Sequence, residues 1–133
     1  MISLLLALAP QVTITPPSIT LTLAPGEVQN VTLQVCVEGD FTSGIPPEDI
    51  VVAFTSIGLS PYLTQIAPPS HTLSFDPNLP NEPVCCDFVV TFEGDCVDDS
   101  TSTAILGALP LLIDNALTDW NVPVNLYLDH CPP

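Results

Sequence analysis

The sequence predicts an all-β sandwich, and three observations carry that expectation. Short segments that alternate apolar and polar residues, rich in Val, Ile, Leu and Thr, recur along the chain. Its 16 prolines, together with Gly- and Asn-bearing turns, cut the chain into roughly seven to nine such segments. With 133 residues, 47% of them apolar, a single domain can bury a core of ordinary size.

The first element is Met1 to Ala9 (MISLLLALA), almost wholly apolar and closed by Pro10. Read as a strand, it places Ile2, Leu4, Leu6 and Leu8 on one face and Ser3, Leu5, Ala7 and Ala9 on the other. Burying the four large side chains would contribute roughly 6–12 kcal/mol before entropy costs, so something must cover them. A signal peptide wants a basic start, and this segment has no Lys or Arg. A transmembrane helix needs about 20 apolar residues. Two readings remain: the first strand of its own domain, or a strand added to the sheet of a neighbouring copy. Residues 1–10 are therefore set apart as a candidate donor strand and residues 11–133 as the sandwich domain. Whether a leader precedes Met1 stays open.

The remaining elements follow in order. Gln11 to Thr15 alternates and meets Pro16-Pro17, and Ser18 to Leu23 points Ile19, Leu21 and Leu23 inward. Ala24-Pro25-Gly26-Glu27 is a turn. Val28 to Val37 then sets Val31, Leu33, Val35 and Val37 against the core. Asp40 to Asp49 reads as a loop, Ile50 to Ile57 as a buried strand, Ser60 to Ile66 as a short strand and His71 to Phe75 as another. After the Pro/Asn loop at Asp76 to Pro83, Val84 to Phe92 turns Cys86, Phe88, Val90 and Phe92 one way and Cys85, Asp87, Val89 and Thr91 the other. Ala104 to Leu117 suits either a short packed helix or, preferably, one irregular strand broken at Pro110. Val122 to Leu128 is the last strand, with Pro123 facing out, which places it at a sheet edge.

The stretch PSITLTLAPGEVQNVTLQV resembles the opening of extracellular immunoglobulin-like β-sandwich modules, in which a strand, a Pro-Gly-Glu turn and a Val/Thr-alternating strand form the first hairpin. The resemblance covers about 20 residues and implies an immunoglobulin-like sandwich rather than a function.

Charge bounds the partners. Lys plus Arg is 0 against 15 Asp and Glu, a formal charge of -15. Without Lys or Arg, every carboxylate must be solvated, hydrogen-bonded, metal-bound or protonated. The protein therefore works in acid or recruits cations such as Ca²⁺. Nucleic-acid binding and docking on anionic lipid both need cationic side chains and are disfavoured. Trypsin has no cleavage site.

Five cysteines, Cys36, Cys85, Cys86, Cys96 and Cys131, point to an oxidising, extracellular setting. Strand alternation sends the adjacent Cys85 and Cys86 to opposite faces, so each needs its own partner. The pairings open include Cys36 or Cys131 with Cys85, and Cys96 with Cys86, and the sequence alone does not fix the connectivity. The odd count leaves a buried free thiol, a two-fold self-pair or a small-thiol cap. A zinc site from Cys85, Cys86, Cys96, His130 and Cys131 is the metal alternative, but it lacks the usual knuckle spacing. Glu93, Asp95, Asp98 and Asp99 crowd one loop, either as a solvated turn or as oxygen ligands for Ca²⁺. Asn30-Val31-Thr32 is an N-glycosylation sequon. Enzyme motifs are absent, His71 beside Ser70 reads as a packed or surface histidine, and Trp120 as a core or interface aromatic.

Together these features resemble extracellular fibres of archaea and bacteria that polymerise by donor-strand complementation: a compact sandwich, a detached apolar terminal strand and few charged residues. That resemblance implies a structural subunit of a homopolymer, lacking one strand, whose groove receives Ile2, Leu4, Leu5, Leu6 and Leu8 of the next copy. The alternatives are a monomeric secreted or surface-displayed binding module, and a viral coat or tail protein.

Overall fold

The computed structural model describes residues 11–38, 49–75 and 82–132. Among them the chain forms nine strands and no helix: β1 (Gln11–Thr15), β2 (Ile19–Leu23), β3 (Val28–Glu38), β4 (Ile50–Phe54), β5 (Leu63–Ala67), β6 (His71–Leu73), β7 (Val84–Glu93), β8 (Ala104–Ile113) and β9 (Ala116–Leu128). They make two sheets, of order β1-β3-β7-β5 and β2-β9-β8-β4-β6. Every ladder is antiparallel except β2 with β9, which is parallel. This is the all-β, immunoglobulin-like sandwich expected. Taking β3, β4, β7, β8 and β9 as the B, C, E, F and G strands, the two sheets match the ABED and GFC arrangement. The N-terminal strand is split by Pro16-Pro17 into β1 on one sheet and β2 on the other. The expected Met1–Ala9 strand and Asp40–Asp49 loop lie largely or wholly outside the described residues.

The alternation places the core as expected. Leu33, Val35 and Val37 of β3 and Phe88, Val90 and Phe92 of β7 face Val52 and Phe54 of β4, Leu109 and Leu111 of β8, and the even-numbered residues Val122 to Leu128 of β9. Phe54 and Phe88 meet edge to face across the sandwich, with ring centroids 5.2 Å apart. No buried side-chain N or O of the described residues lacks a hydrogen bond, so the core charges no desolvation cost to unpaired polar atoms.

Two expectations change at the C-terminal half. Ala104–Leu117 is not one broken strand. Asp114 and Asn115 take positive φ (52° and 65°), the combination a two-residue hairpin turn requires, and fold β8 back onto β9. Asn and short Asp side chains tolerate that region best. Pro110, without an N–H, sits where the register slips before Leu112, so the break predicted there is a bulge within the hairpin. Nor is Pro123 on an edge strand, since β9 lies between β2 and β8. It is tolerated because Ala108, its partner, turns both backbone polar groups the other way, to Ile57 (2.9 and 3.0 Å). The missing N–H of Pro123 therefore faces the β2 side, where the ladder begins only at Ile19 and Val124.

After β4 the chain follows β8 as far as Ile57. Gly58, at φ 72°, then turns Leu59 into the core. Leu59 is seated over Gly107, where a Cβ would run into the Ile57 carbonyl and the Leu59 side chain. Gly107→Ala is expected to cost about 3 kcal/mol, the upper range for overpacking because one clashing atom is backbone. Thermal unfolding would show a fall of roughly 10 °C.

Candidate functional site

The features that bear on function are the sheet edges, the cysteines and the acidic loop. The donor residues Ile2, Leu4, Leu5, Leu6 and Leu8 lie outside the described residues. The chain that follows them enters as β1, which among the described residues is an edge strand paired only with β3, with Gln11 opposite Glu38. At the far side, β6 covers only Ile50–Val52 of β4. From Ala53 to Ile57 the chain is bonded to β8 and has no strand on its other side among the described residues.

The cysteines resolve into two disulfides and one thiol. Cys36 and Cys85 are register partners on the outer face of the central β3–β7 ladder and are joined. This is one of the two options open for Cys85. Cys96 joins Cys131, not Cys86. The reason is strand alternation: Cys86 faces the core, where it packs against buried residues, while Cys96 lies in the loop after β7. There Val97 forms a parallel bridge with His130, giving its N–H to the Asp129 carbonyl and accepting from the Cys131 N–H at 2.8 and 2.7 Å. These bonds bring Cys131 beside Cys96. With Cys85, Cys96 and Cys131 oxidised, the zinc alternative loses three of its four thiols.

Cys86 is the leftover thiol, half-buried. Burial, with the neighbouring Asp87 charge adding to it, pushes its pKa up to about 11. It therefore stays protonated at neutral pH, and a protonated thiol does not attack the adjacent Cys36–Cys85 disulfide. The folded-state pKa lies above the ordinary thiol value, so this contribution to stability is complete below that ordinary value. It is lost as pH rises through about 11. Alkylation of native protein, followed by mass spectrometry, should show a midpoint near 11, against the ordinary thiol range after unfolding. Equal midpoints would mean that the fold does not shield the thiol.

The four loop carboxylates divide, and Asp99 is exposed. Glu93 and Asp95 line an open hollow of about 340 Å³ with Gly26, Pro61, Tyr62 and Gly94. Gly94 fixes this corner by bonding Gly26 and Glu27 of the β2–β3 turn at 2.8 Å each. Asp98 instead caps the next turn, accepting from the Thr101 and Ser100 hydroxyls at 2.6 and 3.0 Å, which holds its carboxyl below the usual range. Glu27, accepting from the Ala24 N–H and the Gln29 amide, is lowered in the same way. Among the described residues no three His, Cys, Asp or Glu side chains converge on a metal-sized site.

Asn30 is exposed on β3, its Oδ1 accepting from the Thr91 hydroxyl at 2.8 Å. The amide nitrogen is the atom that would carry a glycan. His71 is a packed histidine: its Nε2 lies 2.6 Å from the Asp87 carbonyl and its ring meets Phe88 edge to face at 4.9 Å. Trp120 packs against the core from β9. The roles of Leu59, Gly107 and Val97 were not expected. The signal for the first two lay in Gly58 and Gly107, glycines beside apolar runs.

No protein-family model matches the chain, and no curated protein does. Among solved structures it is similar to the CooA pilin subunit from enterotoxigenic Escherichia coli, at 14% identity and TM-score 0.47, over 89% of this chain and 98% of that one. A likeness of that degree carries no statement about function.

Proposed function

We propose that the chain is a non-enzymatic structural subunit of an extracellular fibre, in which Met1–Ala9 of one copy adds as a strand to the next. The observation that carries this reading is that the described strands already occupy both sheets of the sandwich from Gln11 onward. In sequence, the apolar segment Met1–Ala9 directly precedes Pro10 and the edge strand β1. Each sheet runs without a gap among the described residues, so the added strand extends an edge rather than filling a missing central position. Among the described residues, Ala53 to Ile57 is an edge with no strand on its outer side, next to the buried Phe54. Two disulfides suit an oxidising exterior. Carboxylates of adjacent copies, with no Lys or Arg to pair with, are held together in acid or by bridging Ca²⁺.

The test is negative-stain electron microscopy of the purified protein at pH 3 and pH 7, with and without EDTA, beside gel electrophoresis after boiling in detergent. Fibres that survive boiling support strand exchange, and their loss in EDTA at pH 7 alone adds cation bridging. Monodisperse particles of the 14.1 kDa chain in every condition would reject the fibre and leave a monomeric module.

A further inference from the structure

The two outer faces of the sandwich differ in charge. The four-stranded sheet carries Glu38, Asp87 and Glu93 outward. The five-stranded sheet has one carboxylate in all its strands, Asp119, close to the β8–β9 hairpin end. Register places Thr20, Thr22, Tyr127, Pro123, Leu106 and Ile57 together on its outer face. Three of them are large and open to solvent: Leu106 is 71% exposed, Ile57 59% and Tyr127 43%. A row of exposed apolar side chains on a uniformly acidic molecule calls for an occupant.

We infer that this face is a self-association surface, on which a second copy of the chain docks with the same face. Charge selects the occupant. A copy of this chain has a formal charge of -15 and no Lys or Arg to offer a carboxylate, so two copies approach most closely where both surfaces carry fewest carboxylates. The five-stranded face comes close to that condition, its one strand carboxylate, Asp119, lying outward toward the β8–β9 hairpin end, whereas the four-stranded face carries three. Four inter-strand spacings and about five residues of strand give a patch of roughly 300–400 Å², far below a stable dimer interface. The contact therefore suits weak lateral association, effective where many copies are held in line. The inference deepens the fibre reading by adding side-by-side packing of fibres, but the face itself is testable without it.

The experiment compares full-length protein with Leu106→Glu and with Gln34→Glu, which adds the same charge on the opposite, four-stranded face. Light scattering at about 0.15 M salt, where repulsion between distant charges is screened, reads the pair interaction. Microscopy reads bundling. Wild type and Gln34→Glu should attract and bundle. Leu106→Glu should weaken the attraction by about tenfold or more and give single fibres. Its unfolding midpoint and its detergent-resistant ladder should not change. Unchanged association in Leu106→Glu, or a wild type that repels at every salt concentration, overturns the assignment. Attraction that depends on Leu106 in a protein with no ladder keeps this surface and rejects the strand-exchange fibre instead.

Discussion

A chain that begins at Pro10, with residues 1–9 removed, is expected to stay folded and soluble and to form no fibres. The buried cluster of the described residues runs from Ile19 to Leu128 and draws on every strand from β2 to β9 except β5, whose Leu63 and Ile66 pack against it. Among the described residues both sheets are continuous from Gln11 onward. The unfolding midpoint should therefore move by only a few degrees, while the boiled-detergent ladder and the fibres disappear. The alternative has an opposite signature. If Met1–Ala9 were an intrinsic strand, its loss would forfeit roughly 6–12 kcal/mol of apolar burial. That is comparable with the whole stability of a domain, about 5–15 kcal/mol, so the shortened chain would unfold. Circular dichroism and size-exclusion chromatography of the truncated protein separate the two outcomes. Adding a synthetic peptide of residues 1–9 should then restore stability only in the intrinsic case, and block assembly of full-length protein only in the donor case.

How much could be read beforehand follows from the physics of each element. Strands β2, β3 and β7 were legible almost to the residue, because a sheet with one buried face writes a period of two into the sequence. The same alternation sent Cys85 and Cys86 to opposite faces, and it kept Cys86 from the partner expected for it. The hairpin at Asp114–Asn115 was missed because both β8 and the start of β9 are continuously apolar. A run such as Ala104–Leu117 then shows no period, and the turn rests on two residues alone. Pro123 misled for a related reason. A proline argues for an edge only if its missing N–H would have faced a neighbour, and that depends on which hydrogen-bonding phase the register selects. The Cys96–Cys131 pair was not legible at all. It depends on a parallel bridge between Val97 and His130, two isolated residues outside any strand. The acidic loop was legible as a cluster in sequence but not in space, since Asp98 turns to its own Ser100 and Thr101 while Glu93 and Asp95 face the hollow.

Replacing either disulfide by a pair of alanines is expected to have the second large effect, and the two should fail differently. The loops closed by Cys36–Cys85 and Cys96–Cys131 span 49 and 35 residues. Chain-entropy arguments assign each closure about 4 kcal/mol, with about 2–4 kcal/mol usually realised. In this chain the share is unusually consequential. A formal charge of -15 without Lys or Arg means that long-range electrostatics oppose the folded state at neutral pH. Cys36–Cys85 crosses a ladder of ten register pairs that persists without it. Cys36→Ala with Cys85→Ala should therefore lower the midpoint by roughly 10 °C in one cooperative transition, with the native sheet intact below it. Cys96–Cys131 instead fastens segments held otherwise by three backbone hydrogen bonds, two at Val97 and one from Leu128 to Thr103, by the His130 ring beside the Thr101 carbonyl, and by buried Val97. Cys96→Ala with Cys131→Ala should open that corner first, and an Asp-specific protease should cut at Asp95, Asp98 or Asp99 well below the global midpoint. Loss of both bonds removes stability on the order of the domain's total, so full reduction at neutral pH should unfold the protein. Lowering the pH to about 4.5 should partly rescue the reduced chain, because neutralising carboxylates relieves their mutual repulsion. The rescue should fade at lower pH. Glu27 and Asp98, whose folded-state pKa values are depressed, contribute stability only above their ordinary values and lose it as pH falls through the lowered ones. A reduced protein equally stable at pH 7 and pH 4.5 would show that charge repulsion is not what the disulfides are holding against.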